Sequence, residues 1–274
     1  MIYVTGDCHG DFSRFSRKQR MRLPFGVTEK DFVIICGDMG LLWAHDGEYT
    51  YNKKWLSALP FTILWVQGNH ENYDMIAEYP VCMWNGGKVR QIVEDKIILL
   101  ERGQIFGLEG KRFFTFGGAS THDIQGGILD RSSPTYAKER LHANKRGLPY
   151  RVRGVSWWAQ ELPSVEEMQE GRTNLSKAGY TVDYVVTHCL SGRMQDQLET
   201  ILSARRIDES VYEKSICDIE SCDEKFCNKD ILTDYFDELE EKLQYQHWFC
   251  GHYHENLRLD GRHTVLYQDI IALQ

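Results

Sequence analysis

The sequence lacks long apolar runs and an excess of basic charge. No stretch approaches the roughly 20 apolar residues that a transmembrane helix needs, and Met1 leads into a predicted strand instead of a charged start and an apolar signal core. Lysine and arginine total 32 against 40 acidic residues, a net charge of −8. This balance argues against binding of nucleic-acid backbones or anionic membranes by charge. We therefore expect a cytoplasmic protein without membrane attachment or stable nucleic-acid binding, although a nucleotide substrate stays open.

The sequence also lacks the cysteine framework of small secreted domains. Among its eight cysteines, Cys36, Cys189 and Cys250 lie in or beside predicted core strands, where free cysteine packs as a small apolar side chain. Three more are spaced at intervals of five: Cys217, Cys222 and Cys227. Structural zinc sites favour gaps of about two to four residues and need a fourth ligand, so we expect reduced cysteines and no zinc in this segment.

Five apolar runs in the sequence end at residue types that bind metals. The clearest is 32–36, a short run rich in β-branched residues, as in a strand buried on both faces, and it leads to Gly37-Asp38. The other runs end at comparable residues: Asp7 and His9, Asn69 and His70, His188, and His252 and His254. Because open α/β sheets build their sites at the carboxyl ends of strands, we expect these side chains to meet at one rim.

The order of predicted elements favours a single domain. Strands alternate with helices over residues 1–80, which predicts a partly parallel sheet with right-handed crossovers, and residues 88–116 have the pattern of hairpins. Helices are predicted over four ranges: 51–59, 72–79, 164–178 and 230–244. Since candidate ligands come from both ends of the sequence and must meet in space, residues 1–274 are predicted to form one domain.

Two segments fall outside this alternation. Residues 117–158 show no sustained period and are rich in glycine, arginine and aromatic residues, so we interpret them as a substrate-side loop. Candidate side chains in this loop are His122, Asp123, Arg131 and Trp157. Taken alone, a residue of any of these types is more often solvated or structural than functional. Residues 190–229 are polar and charged, and we interpret them as a cap-like or lid-like insertion.

At the strand ends the sequence resembles the calcineurin-like metallophosphoesterase family. The blocks GDCHG, GDMG, GNHE, VVTHC and GHYH stand in the family's order between residues 6 and 254. The resemblance implies an α/β fold, a four-layer αββα sandwich of two packed mixed β-sheets with helices on both outer faces. In such a fold the hairpins of residues 88–116 would begin the second sheet.

The resemblance also implies a site with two metal ions. Carboxylate, amide and imidazole ligands without thiolate suit Mn, Fe, Zn or Mg. The family pattern places Asp7, His9 and His254 on one ion, Asn69, His188 and His252 on the other, and Asp38 between both. It makes His70 a catalytic residue that is not a ligand, but contacts the phosphate and assists the leaving group as an acid. The implied reaction is hydrolysis of a phosphate ester by a metal-bridging hydroxide.

Two departures bear on the substrate. The spellings GDxHG and GNHE are those of the protein-phosphatase and diadenosine-tetraphosphatase branch, whose second block is GDxxDRG. Here Leu41 replaces the acid of that block, Leu42 its arginine, and Gln67 the arginine that the branch carries before GNHE. The predicted substrate is therefore a small or nucleotide-like phosphate ester, with a raised ratio of diesterase to monoesterase activity. Candidate substrate contacts are Asn69, His122, Asp123, Arg131 and Arg193.

Two other functions stay open at this point. A Ser/Thr protein phosphatase-like phosphomonoesterase is favoured by GDCHG and GNHE and disfavoured by Leu42 and Gln67. A non-catalytic metal-binding scaffold would be favoured by the loss of a ligand, and every ligand position of the family pattern is filled.

Overall fold

The computed structural model describes residues 1–20, 27–212 and 229–273, without side chains at position 20 and over 206–212. The described residues form strands β1 to β15: Ile2–Thr5, Phe32–Ile35, Thr62–Trp65, Val81–Trp84, Gly87–Val93, Ile97–Leu100, Gln104–Leu108, Lys111–Phe116, Ile128–Leu129, Arg151–Val152, Tyr184–Thr187, His247–Cys250, Leu257–Arg258, His263–Val265 and Ile270–Leu273. They also form helices α1 to α7: Arg17–Arg20, Gly47–Ser57, Tyr73–Ala77, Tyr136–Arg146, Val165–Lys177, Gly192–Tyr212 and Ile231–Lys242. Two short 3-10 helices cover Ser13–Phe15 and Ala159–Glu161.

The strands form two large mixed sheets and one small one. The seven-stranded sheet has the order β15-β1-β2-β3-β6-β5-β4, and the six-stranded sheet has the order β13-β14-β12-β11-β8-β7. In the first sheet Thr5, Ile35 and Trp65 lie side by side in the parallel strands β1, β2 and β3. The carboxyl ends of these three strands are therefore level, which brings the loops after them to one rim.

The two large sheets pack face to face. Val4 and Leu64 of the first sheet belong to one buried cluster with Phe106, Val186 and Phe249 of the second. The other face of the first sheet packs on residues of α2 and α3, and the other face of the second packs on α5, α6 and α7. The predicted four-layer αββα sandwich is confirmed.

The hairpin segment is divided differently from the expectation. Strands β4, β5 and β6 complete the first sheet, and the second sheet begins only at β7. The reason is β6, which is buried along its whole length and pairs in parallel with β3. The expectation that residues 88–116 would all begin the second sheet is wrong.

Local sequence signals explain the helix ends. A capping box is present at the start of α5, where Ser164 accepts from the backbone N–H of Glu167. Helix α2 begins four residues before the predicted position 51, because Asp46 caps it by accepting from the backbone N–H of Tyr49. No helix of the described part is long and apolar enough to cross a membrane.

The two irregular segments contain regular structure. Residues 117–158 hold β9, α4 and β10, and α4 escaped the sequence analysis because nearly all of it except Ala143 is at least partly exposed. Residues 190–229 begin with α6, which packs Leu198 into the outer core. The interpretations as substrate-side loop and lid remain predictions. The five cysteines in the described part are free, whereas Cys217, Cys222 and Cys227 lie outside the described residues.

Candidate metal and active site

Two buried carboxylates form the centre of the site. Asp7 follows β1 and Asp38 follows β2, and they are 0% and 1% exposed. Asp7 accepts from the backbone N–H of His252 at 2.9 and 3.1 Å, and Asp38 accepts from that of His70 at 2.7 Å. Burial opposes ionisation of both groups, but the charge of His188 holds the pKa of each carboxyl well below its usual range. The centre therefore carries concentrated negative charge that attracts cations.

His188 is oriented by a backbone carbonyl. Its Nδ1 donates to the Cys36 carbonyl oxygen at 2.7 Å, which leaves Nε2 as the free ring nitrogen. Nε2 lies 3.4 Å from Asp38 Oδ2 and 3.1 Å from Asn69 Oδ1. Burial lowers the pKa of His188, yet Asp38 and Asp7 raise it to about 9. These three side chains direct ligand atoms at one another.

A second group lies on the other side of the carboxylates. The Nε2 atoms of His9 and His254 are 3.6 and 3.4 Å from Asp7 Oδ2, and 2.9 Å from each other. The ring of His254 stacks on that of Tyr267 with centroids 4.7 Å apart. Asp7, His9 and His254 form one group able to hold a metal ion, and Asp7, Asp38 and His188 form another.

The donor set fits metal ions. Ligands bound at about 2.1 Å to one ion are roughly 3 to 3.5 Å apart, which is close to the spacings found here. Asp7 belongs to both groups. However, the His188 atom near Asp7 is Nδ1, at 3.9 Å, and this nitrogen already donates to the Cys36 carbonyl oxygen. Asp38 Oδ2 faces Nε2 of both His188 and His9, at 3.4 and 3.8 Å. Asp38 Oδ2 therefore has an imidazole nitrogen nearby on each side of the centre.

His252 is adjacent to the ligand groups but belongs to neither of them. It is buried, and its ring centroid is 5.0 Å from that of His188. Burial lowers the pKa of this histidine well below the ordinary value, which keeps its ring neutral. A neutral ring is the form in which histidine binds metals.

The backbone is strained at four of the predicted ligands. His9, Asp38, His252 and His254 have φ of 46°, 45°, 70° and 53°, and the described part contains eight such non-glycine residues. Residues held in this sparsely populated region cluster at functional sites, because the surrounding structure must enforce them. Here the backbone N–H of His9 donates to the Asp38 carbonyl oxygen at 2.8 Å, which ties two of these residues together.

The glycines of the motifs make room for the carboxylates. A Cβ at Gly68 would lie 1.9 Å from Asp38 Oδ1, and a Cβ at Gly251 would lie 2.0 Å from Asp7 Oδ1. No side chain fits at either position. The motifs therefore need glycine before Asn69 and before His252.

His70 contacts an arginine that the sequence analysis missed. Arg151, on β10, places Nη2 3.3 Å from His70 Nε2, and its Nε donates to Asp123 at 2.8 Å. Arg151 Nη2 also bonds to Asp123. Because a guanidinium only donates, His70 Nε2 accepts in this contact and the ring proton is on Nδ1. The pKa of His70 is lowered by burial and by the charge of Arg151, against the opposing effect of Asp38.

Asn69 is oriented by a second contact that the sequence analysis missed. Its Nδ2 donates to Thr121 Oγ1 at 3.4 Å, and Thr121 Oγ1 donates to Glu161 at 2.5 Å. Glu161 also accepts from the indole of Trp157 at 2.9 Å. With Nδ2 directed at Thr121, Oδ1 of Asn69 faces His188. No local sequence pattern indicates this series of hydrogen bonds, because Thr121 and Glu161 are 40 residues apart.

Some of the remaining candidate substrate contacts lie near the site and others do not. The ring of His122 lies 5.6 Å from that of His252, and Asp123 holds Arg151. Arg131 is exposed after β9. Arg193 is held by the helix opposite, where it bonds to Asp237 and Glu241. The structure thus brings His122 and Asp123 to the site, and does not bring Arg193.

Leu42 and Gln67, two of the three positions that depart from the phosphatase spelling, are buried. Leu42 is buried in the core between the first sheet and its helices. Gln67 is buried and donates to Glu101 at 3.3 Å. The arginine beside His70 is instead Arg151, which comes from β10.

The family model of the calcineurin-like phosphoesterases matches residues 1–256. Among solved structures, the chain is similar to phosphopantetheinyl hydrolase (PptH) from Mycobacterium tuberculosis, with 14% identity, a TM-score of 0.43, and coverage of 97% of this chain and 89% of that chain. No curated protein matches the sequence. Because the family model spans nearly all of its residues, the chain belongs to the calcineurin-like phosphoesterase family and is a hydrolase of phosphoric ester bonds.

Proposed function

We propose that this protein is a dinuclear metal-dependent phosphoesterase acting on a small or nucleotide-like phosphate ester. The observation that carries the proposal is the meeting of ligand side chains from five strand ends around Asp38. Asp7, His9 and His254 would hold one ion. Asn69, His188 and His252 would hold the other, with Asp38 shared between them.

Bound ions of this kind supply a nucleophilic water at neutral pH and a positive clamp for the phosphoryl oxygens. The chain's own residues set the geometry. Asp38 is fixed by the backbone N–H of His70, and His188 by the Cys36 carbonyl oxygen, so both hold their positions before substrate arrives. His70 lies outside the ligand groups and lines the adjoining cavity. To assist the leaving oxygen as an acid, its Nε2, which accepts from Arg151 here, would have to take up a proton.

Arg151 would hold the phosphate itself. Its Nη1 makes no hydrogen bond within the described part of the chain, while Nε and Nη2 are anchored on Asp123. An anchored guanidinium with a free edge is suited to bind a phosphate oxygen. This supports phosphomonoesters as substrates, since a dianion needs more positive charge than a diester monoanion.

The test is metal analysis followed by an activity assay. Purified protein reconstituted separately with Mn, Fe, Zn or Mg should bind two ions per chain and hydrolyse phenyl phosphate, and chelation should remove both properties. Binding of two ions without turnover of any phosphate ester would favour the scaffold. A preference for phosphoserine peptides over aryl phosphates would favour the protein-phosphatase alternative.

A further inference from the structure

A cavity of about 310 Å³ opens beside the candidate metal ligands. His9, His70 and Arg151 are among its lining residues, so the group attached to a phosphate bound there would enter the cavity. Most of the other lining residues come from the loop after β2 and the start of α2. Small-molecule pockets span roughly 300–1,000 Å³, so this one fits a single compact organic group.

Aromatic side chains form part of the lining that comes from the loop after β2 and the start of α2. Trp43 and Tyr49 line the cavity together with Leu41. The Trp43 side chain is held edge-on against Trp158, with ring centroids 6.0 Å apart, and yet is 41% exposed. A large aromatic side chain that is fixed but left exposed beside a site offers a flat apolar surface to a ligand ring.

The same part of the lining carries negative charge. Asp46, Glu48 and Asn52 belong to it, and all three offer acceptor oxygens. Asp46 caps α2 through Oδ1, and the positive end of the helix, about half a charge, is smaller than the two carboxylates together. Lys53 does not line the cavity, but its ammonium donates to the hydroxyl of the lining residue Tyr49 at 3.0 Å and offsets part of this negative charge. The cavity therefore joins the side chains beside the candidate metal site, His9, His70 and Arg151, to a lining segment that carries the carboxylates of Asp46 and Glu48.

We propose that this cavity binds the leaving group of the substrate, and that it selects a flat organic group carrying a cation or hydrogen-bond donors. A leaving group that carries a second phosphate or a carboxylate is disfavoured there, since it would face Asp46 and Glu48. This inference rests on the proposed phosphoesterase function and names the substrate class of the same site.

The experiment compares two aryl phosphates that differ in the charge of one remote substituent. These are 4-(2-aminoethyl)phenyl phosphate and 4-(2-carboxyethyl)phenyl phosphate, with phenyl phosphate as the neutral reference. Each exposed charge pair changes an equilibrium by about 1.4- to 5-fold, so two carboxylates should favour the amine ester over phenyl phosphate by about 2- to 30-fold in kcat/KM and disfavour the carboxylate ester by a similar factor. Manganese-loaded full-length protein is used throughout.

Variants locate the source of this selectivity. Asp46→Asn combined with Glu48→Gln should bring the amine-to-carboxylate ratio close to one, and asparagine keeps the cap of α2. Glu29→Gln, which removes an exposed carboxylate before β2, should leave the ratio unchanged. Trp43→Ala should raise KM for the aryl esters more than for ethyl phosphate, which has no ring.

The outcomes separate the inference from the proposed function. If phenyl phosphate is hydrolysed and the carboxylate ester is as good as the amine ester, or the ratio ignores the double variant, the inference is overturned. If no ester is hydrolysed, the proposed function fails. In that case the dissociation constants of the matching non-hydrolysable benzylphosphonates decide the inference, which requires tighter binding of the amine.

Discussion

The contact of Arg151 with the substrate can be tested by replacing it with methionine. Methionine keeps much of the side-chain length but removes every donor. The Arg151 side chain is 17% exposed and sits between Asp123 and His70, so the change acts within the site. We expect it to reduce hydrolysis of monoesters more than hydrolysis of diesters.

The size of the effect follows from the charges. A hydrogen bond to a charged partner contributes about 1.5–3 kcal/mol, which corresponds to a loss of about 10- to 150-fold in monoester kcat/KM. Asp123 loses its partner in the variant and is only 35% exposed, so its charge would repel the phosphate and move the loss toward the upper end. A diester has one negative charge fewer and should lose about 3- to 10-fold on the same scale.

The assay pairs mono-aryl and bis-aryl phosphates with the same leaving group and the same metal. Arg153→Met is the matched control, because Arg153 follows two residues later and its guanidinium lies over the Trp157 ring. It should leave the ratio of the two activities unchanged. Equal losses on both substrates, or unchanged monoesterase activity in Arg151→Met, would refute the reasoning. The expectation of raised diesterase activity assumed no arginine near His70, so we now expect the parent protein to prefer monoesters.

Three further predictions concern ligands, orientation and pH. Asp38→Asn should lower metal content below two ions per chain and abolish turnover while the circular dichroism spectrum is kept; full activity with both ions would remove Asp38 from its shared role. Thr121→Val should weaken binding of the ion that Asn69 would hold by about 10-fold. This is the lower end of the range for a residue that orients a ligand, because its bond to Asn69 is 3.4 Å long. Thr121→Ser should restore the affinity in a metal titration, and weaker binding in both variants would indicate a packing role. Burial, aided by the charge of Arg258, lowers the pKa of His247 to about 4, below its ordinary value of about 6.5. The unfolded chain therefore takes up a proton first, and stability falls as pH drops from about 6.5 to 4. The urea midpoint of unfolding is measured at pH 6.5 and at pH 4. Its decrease between these two values should be smaller in His247→Gln than in the parent, and equal decreases would exclude the histidine as a cause.

The central geometry could be predicted because each element of it is local. An apolar run followed by Gly-Asp at Asp38, or by Gly-Asn-His at 68–70, indicates a strand end and a ligand within a few residues. The level carboxyl ends of β1, β2 and β3 then bring those residues together. The family resemblance implied the sandwich, although the border between its sheets was misplaced at β5 and β6.

The surrounding residues could not be predicted because they have no local pattern. Arg151 lies in a strand of two residues, 81 positions from His70, and its neighbours include several other arginines. The segment was identified as substrate-side, but its spacing did not distinguish Arg151 from Arg131 or Arg153. Only the pairing of β10 with β9 decides which of them turns toward the site.

The strain at the ligands suggests how this site keeps its shape. Each non-glycine residue in the left-handed region costs about 1–3 kcal/mol, and such a cost persists only where neighbouring bonds enforce it. Those bonds are here: the Asp38 carbonyl oxygen accepts from both Cys8 and His9, and the Asp7 carboxylate accepts from His252. The loops after β1 and β2 and the loop after β12 therefore hold one another. Because the bonds use backbone groups and carboxylates rather than ions, the directions of the proposed ligands are set by the folded chain, and an arriving ion would find them aligned.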